Sequence, residues 1–397
     1  MQFLLWFSLI LVAFIYFGYP VVIFVIARIL GKEVNKSDIT PSVSLIIPVH
    51  NEEKVIDQKI QNILQLDYPE DKLEIIFALD GCTDRTKEII LENKNGRITI
   101  LDKEEREGKV RTLNKAVKTA KGEIVVFSDA NSIHKQDTLR KLVRNFADKE
   151  TGCVCGRLKY TDTDNGSVGE GEDLYWKYEY FLKRQESRIG KLIITNGSIQ
   201  AIRRSLYPYP DPEIADDFSI PLLVQTQGYR VLYEPQAVVR EVATQSLKEE
   251  FNQKVRIISQ GFKGAAMLRR DLLKLGGLGL FEFLFHKLLR WLVPLFLTVI
   301  FVSNIFLLDS AVYFNLFILQ SLFYLFSITG YLLRNKNKIK VFYIPFYFCL
   351  VNFTSLVAMY RVLIKAQTRI WEKAHSTRAT PVKRNAYCVP RTASKRR

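Results

Sequence analysis

The sequence predicts an α/β domain built on a parallel sheet and held between membrane-spanning helices. Three observations carry this. Short apolar runs at 43–49, 73–79, 98–101 and 124–127 alternate with segments of helical period, the order of parallel strands joined by crossover helices. Each run stops on polar residues at its carboxyl end, which is where open α/β sheets place their ligands. The remaining apolar residues are segregated into Phe3–Leu30 and a block from about Phe281 to Ile364, and about 20 helical residues suffice to cross a bilayer.

The N-terminal run has no basic stretch before it and is too long for a signal-peptide core, so it is read as a retained span. It is followed by Arg28 and Lys32, which puts the next domain on the cytoplasmic side. The net charge of +16 lies largely beside the apolar segments and in the tail from Lys365 to Arg397. That placement fits a membrane topology, and no nucleic-acid motif of known spacing accompanies it, so nucleic acid is excluded as a partner. Cys153-Val-Cys155 matches neither a zinc knuckle nor a redox pair, and the four histidines show no ligand spacing.

Along the chain, Val43–Val49 is a strand leading into His50-Asn-Glu-Glu53, with a helix starting at Glu52. The second strand, Leu73–Leu79, ends in Asp80-Gly-Cys-Thr-Asp84, where Gly81 permits a tight turn and Thr83 or Asp84 caps the next helix. Gly108-Lys109 opens a helix over 110–120. The fourth strand, Ile124–Phe127, ends on Ser128-Asp-Ala-Asn131, so Asp129 stands at a strand tip within reach of a metal or a phosphate, or caps the next helix. No G-x-G-x-x-G or Walker A pattern is present, so a nucleotide would be held by carboxylates, Lys109 and a divalent cation. A strand at 152–156, a polar loop at 161–171 and an aromatic helix from Asp173 to Lys183 come next; the helix's rings are packing residues, with Trp176 the candidate for stacking on a sugar. A strand at 199–202 precedes Ala215-Asp-Asp217, a pair of carboxylates opening a helix, where one can cap while the other faces a cleft as a base. Gln253 and Arg256 lie three apart on a later helix, with Arg256 suited to phosphate oxygens.

Together, Pro48-Val-His-Asn-Glu52, Asp80–Asp84, Gly108-Lys109, Ser128–Asn131, Ala215–Asp217 and Gln253-x-x-Arg256 resemble the ordered motifs of the membrane-bound family 2 glycosyltransferases. The likeness covers roughly residues 42–262, and the layout is similar to the cellulose, hyaluronan and poly-N-acetylglucosamine synthases. The resemblance implies a GT-A domain at 42–262 between a transmembrane helix at 1–30, an amphipathic interface segment at 263–290, transmembrane helices at 291–364 and a basic tail at 365–397. It implies inverting transfer of a hexose or N-acetylhexosamine from a UDP-sugar to a growing glycan. Glu52, Asp80, Lys109 and Asp129 would bind the nucleotide-sugar, and Asp217 would be the base with Asp216 beside it. Gln253 and Arg256 would face diphosphate and acceptor, and Mg2+ or Mn2+ would sit on Asp129 and Asn131.

Two positions depart from that pattern. Asn131 replaces the second Asp of D-x-D, and Ile257 replaces the Trp of Q-x-x-R-W. The second favours an alternative, transfer of one sugar to a lipid or lipid-linked acceptor; the first is the one hint of a binding subunit without turnover. Further partners would be the bilayer and an accessory membrane subunit. Four full crossings would leave the basic tail outside, against the charge rule, so Val341–Ile364, with Pro345 and Asn352, is expected to be re-entrant or tilted. Gln367–Lys373 resembles a segment that comes after the last helix in related polysaccharide enzymes.

Overall fold

The computed structural model describes residues 1–161, 170–244, 246–334, 339–365 and 376–379. The loop expected at 161–171 and the segment Gln367–Lys373 therefore lie wholly or mostly outside the described residues, as does most of the basic tail. The chain begins with one long apolar helix, α1 (Gln2–Ile29). Four strands then form where the apolar runs placed them: β1 (Val43–Val49), β2 (Leu73–Leu79), β3 (Ile98–Leu101) and β4 (Ile124–Phe127). The crossover helices are α2 (Ile56–Leu64), α3 (Thr86–Glu92) and α4 (Lys109–Thr119).

These strands run parallel, with Val43 opposite Leu73 on one side and Ile124 on the other. Leu45 and Ile47 pack on Ile56, Ile60 and Ile63 of α2, whereas Ile46 packs with Leu113, Ala116 and Val117 of α4. A strand covered on both faces has no polar side to show, which is why β1, β2 and β4 read as nearly continuous apolar runs, with Ser44 and Glu74 the polar exceptions. The first helix starts at Ile56, four residues later than expected. Glu52 instead stays in the loop, where its backbone N–H donates to Thr86 Oγ1 at 2.7 Å and its side chain is buried.

Beyond β4 the sheet departs from the expected parallel order. β5 (Ile133–His134), α5 (Thr138–Val143), β6 (Thr151–Thr161), α6 (Glu170–Ile189), β7 (Gln200–Arg203), α7 (Asp216–Thr226) and β8 (Arg230–Val242) complete it. The order is β3-β2-β1-β4-β7-β6-β8-β5, with β7 antiparallel to both β4 and β6, and β5 antiparallel to β8. β8 is absent from the sequence reading. Pro235 and the charges at Glu234, Arg240 and Glu241 break its alternation, and the ladder absorbs the proline by shifting register between Gly156 and Arg157. Trp176 stacks among Tyr160, Tyr175 and Tyr180, so its ring is used in packing.

The remaining helices are α8 (Leu247–Met267), α9 (Arg269–Lys274), α10 (Gly276–Ile305), α11 (Ala311–Leu333), α12 (Lys340–Leu363) and α13 (Ser376–Ala379). Four of the described helices, α1, α10, α11 and α12, are long and apolar enough to cross a membrane. The segment drawn at 263–290 holds the end of α8, all of α9 and the first turns of α10. Those first turns face inward: Glu179 of α6 accepts from His286 at 3.2 Å and Lys287 at 3.3 Å and pairs with Arg290. Glu186, two turns on, accepts from Tyr19 of α1 at 2.8 Å. Burial alone would raise the Glu179 pKa, yet Lys287, Arg290 and His286 hold it well below the carboxylate range.

Breaking a buried ion pair by removing one partner costs about 3–5 kcal/mol, because the other charge stays buried and unpaired. Glu179→Leu is therefore expected to lower the unfolding temperature of the detergent-solubilised protein; an unchanged melting curve would contradict this packing role.

α12 lies along α8 of the α/β domain. Phe353 packs on Phe251 with ring centroids 5.9 Å apart, Ser259 Oγ donates to the carbonyl of Ala358, and Lys254 stands over the Tyr347 ring. The chain after α12 is back at the α/β domain by α13, where Arg378 Nε lies 3.2 Å from Glu52 Oε2.

Candidate active site

The carboxyl ends of β1, β2 and β4 open into a cavity lined by His50, Glu52, Asp80, Lys109, Asp129 and Arg378 among others. Asp80 is fixed within the protein: its carboxylate accepts from the backbone N–H of Glu107 at 2.6 Å and of Gly108 at 3.0 Å. The turn needs glycine after it, since Gly81 has φ +63° and a Cβ there would lie 2.8 Å from the Arg106 nitrogen. Asp80 thereby sets the start of α4, and Lys109 is the first residue of that helix.

Lys109 is the centre of the arrangement. Its Nζ lies 3.0 Å from Asp129 Oδ1 and 3.3 Å from Asp216 Oδ2, tying the tip of β4 to the start of α7. Burial disfavours its charge, but Asp129 and then Asp216 outweigh that and keep the ammonium protonated far above its ordinary range. The Asp129 turn is clamped from behind by Lys59 of α2, fully buried, which donates to Ser128 Oγ and to the Ser132 carbonyl, both at 2.6 Å. Burial pushes Lys59 down to about 7.

At α7, Asp216 is buried and Asp217 is only part-covered. The Asp217 carbonyl accepts from Thr195 N–H at 3.0 Å. Burial, and next the neighbouring Asp216, push Asp217 up to about 6, against the pull of Lys109, Lys183 and Arg256. Arg256 feels both Asp217 and Asp129, so the two carboxylates share one electrostatic environment. Gln253 lies one turn earlier on α8, half-buried, and Ile257 is half-exposed. Asn131 is buried, its Oδ1 accepting from Arg378 Nη2 at 3.4 Å.

The structure thus gathers Glu52, Asp80, Lys109, Asp129, Asp216, Asp217 and Arg256. Three contributors are not in the sequence reading. Lys59 sits on the same helical stripe as Ile56, Ile60 and Ile63, so a lysine at an apolar position is its signal. Arg378 lies in the basic tail, where its charge counts toward topology. Gly197 approaches so closely that a Cβ would stand 3.0 Å from Lys109 Nζ and 3.2 Å from Asp216 Oδ2.

The donor set bears on a metal. Among the described residues no three His, Cys, Asp or Glu side chains form a metal site. Asp129 is partly open to the cavity, with Asn131 two residues on. Asp129 Oδ1 already pairs with Lys109 and Asn131 Oδ1 accepts from Arg378, so a hard divalent cation would use their remaining lone pairs and take its other ligands from a diphosphate when the nucleotide is present.

Residues 44–208 match the family described as glycosyl transferase family 2. That match falls on the GT-A-like mixed sheet, which has apolar helices on either side of it in the chain. Over 237 residues it is 29% identical to a poly-beta-1,6-N-acetyl-D-glucosamine synthase of Staphylococcus aureus, a match covering 58% of this chain and 56% of that protein. The protein of the same description from Staphylococcus epidermidis is 28% identical over the same length. The match thus spans little more than half the length of these curated relatives. Among solved structures, the mannosyltransferase PcManGT from Pyrobaculum calidifontis, in complex with GDP-Man and Mn2+, has a TM-score of 0.66. It is 23% identical, covering 92% of this chain and 100% of that one, a likeness of fold.

Proposed function

We propose that this is an inverting membrane glycosyltransferase, moving a hexose or N-acetylhexosamine from a UDP-sugar to a growing polysaccharide or glycan acceptor, with its α/β domain on the cytoplasmic side. The observation that carries the reading is the Asp129–Lys109–Asp216 bridge, with salt-bridge distances of 3.0 and 3.3 Å, because it ties a strand-tip carboxylate and a helix-start carboxylate pair together through one ammonium. The synthase activity in the names of the Staphylococcus relatives supports the glycan acceptor.

Asp217 takes the proton of the acceptor hydroxyl, for which a carboxylate raised toward neutrality is a suitable base. Arg256 and Arg378 bring positive charge to the departing nucleoside diphosphate, Lys109 holds the nucleotide side of the site, and Glu52 orients Arg378. Asp129 and Asn131 would hold Mg2+ or Mn2+ against the diphosphate, adding charge neutralisation at the leaving group when the ion is bound. The Mn2+ in the mannosyltransferase of similar fold supports divalent dependence.

Release of UDP or GDP by the purified protein from a panel of nucleotide-sugars tests the reading. Turnover of a UDP-hexose or UDP-N-acetylhexosamine is expected; turnover of GDP-mannose alone would replace the donor, and binding without turnover would leave a silent subunit. Ile257 favours a second reading, transfer of a single sugar to a lipid-linked acceptor, which product length separates from polymerisation.

Gly197→Ala is expected to lower kcat/KM by about tenfold with the protein still folded, since the added methyl crowds the Lys109 ammonium and the Asp216 carboxylate at 3.0 and 3.2 Å and small misplacements in a site are costly. Unchanged kinetics would show that Lys109 has room to yield.

A further inference from the structure

We propose that Lys183 is a positioning residue for the transfer reaction: from α6 it fixes the Thr195–Ser198 loop and adds a positive charge, besides Lys109 and Arg256, near the Asp216–Asp217 pair. The proposal rests on the reading of Asp217 as the base.

Lys183 is 3% exposed, and its Nζ donates to Asn196 Oδ1 at 2.8 Å. That acceptor is neutral, and among the described residues no carboxylate lies within ion-pair distance of the ammonium. A buried ammonium without its own counter-ion is unfavourable unless nearby negative charge compensates it. Asp217 feels its charge.

The amide it holds is tightly specified. Asn196 Nδ2 donates to the Gly156 carbonyl at 3.0 Å and its backbone N–H points to Cys155 Sγ at 3.2 Å, so Oδ1 is the atom left for Lys183. The residues on either side reach the catalytic groups. Thr195 N–H donates to the Asp217 carbonyl at 3.0 Å, and its hydroxyl lies between that carbonyl at 3.1 Å and Gln200 Oε1 at 2.8 Å. Gly197 is pressed against Lys109 and Asp216. One turn to either side of Lys183 on α6, Glu179 and Glu186 are tied to α10 and α1, so the lysine projects from an anchored helix.

The charges facing Asp217 are Asp216 on its own helix, Lys109 on α4, Lys183 on α6 and Arg256 on α8. Removing one cation from this set makes the carboxylate harder to ionise, so the acid limb of the rate profile moves to higher pH. A residue that only filled space would not move it.

The test uses the full-length protein in lipid nanodiscs, reading UDP release against pH for the wild type, Lys183→Met, Lys183→Arg and Asn196→Asp. Lys183→Met is expected to lower kcat about tenfold, keep donor KM within about twofold and raise the acid limb by about one pH unit, while Lys183→Arg keeps the limb in place. Asn196→Asp keeps the lysine but gives it a carboxylate, so the limb should rise there too, which covers the case where Lys183→Met does not accumulate. An unmoved limb in Lys183→Met or Asn196→Asp, or a raised KM at constant kcat, overturns the proposal. A wild type inactive on every nucleotide-sugar removes the function and this role with it, whereas an active wild type with unmoved limbs removes only the role.

Discussion

Asp217→Asn is expected to lower sugar transfer by about a hundredfold to ten-thousandfold, the usual contribution of a positioned general base, with donor affinity by calorimetry little changed. Asparagine keeps the shape of the side chain and cannot accept the proton. The pH profile gives a sharper signature than the rate. Asp217 is pushed up to about 6, first by burial and then by Asp216. Below that value the base is protonated and the rate of the wild type falls with pH; above it the rate is level. In the asparagine variant that limb should vanish, leaving a low rate without an inflection near 6. Full activity in the variant would move the base to another residue, and Asp216 would be a poor successor because it is buried against Lys109.

Burial decides which elements are legible in the sequence. β1, β2 and β4 carry apolar residues toward both sheet faces, and so they stand out as runs such as Ile124–Phe127. Their polar tips stand out by contrast, which is what makes Asp80 and Asp129 visible. β8 hides because a strand with Pro235 and a register shift loses its period. The antiparallel entry of β7 beside β4 is set by the path of the chain, and no residue type in Gln200–Arg203 marks it. Within the site, residues at strand tips and helix starts are legible as charged motifs, even where, as at Glu52, Asp80 and Asp216, they are buried. Lys59 is hidden among isoleucines, and Arg378 comes after Asp129 by far too many residues for any local spacing to link them. Asp80 is legible for its chemistry, yet the structure also gives it a second task, holding the 107–108 turn that launches Lys109.

Lys109→Met is the other substitution with a large expected effect, a loss in kcat/KM of about a hundredfold to a thousandfold, the scale on which a preorganised charge contributes. Methionine fills the same space without the ammonium, so Asp129 and Asp216 lose their common partner while their side chains remain only 23% and 8% exposed. Two consequences oppose each other in a measurable way. Asp129 is freed for a divalent ion, so the metal concentration giving half-maximal activity should fall or stay level. The Asp216–Asp217 pair, however, loses a neighbouring cation, and Asp217 becomes harder to ionise than its already raised value. The acid limb should therefore move upward, so that the variant is more nearly active at pH 8 than at pH 6 relative to the wild type. This separates the two substitutions: Asp217→Asn erases the limb, and Lys109→Met displaces it. Arginine at 109 should not restore activity, because the ammonium sits as a point charge 3.0 Å from Asp129 and 3.3 Å from Asp216, a position the broader, planar guanidinium does not reproduce. If Lys109→Met keeps the wild-type limb, the lysine does not act on the base, and the bridge between the strand tip and the helix start is structural alone.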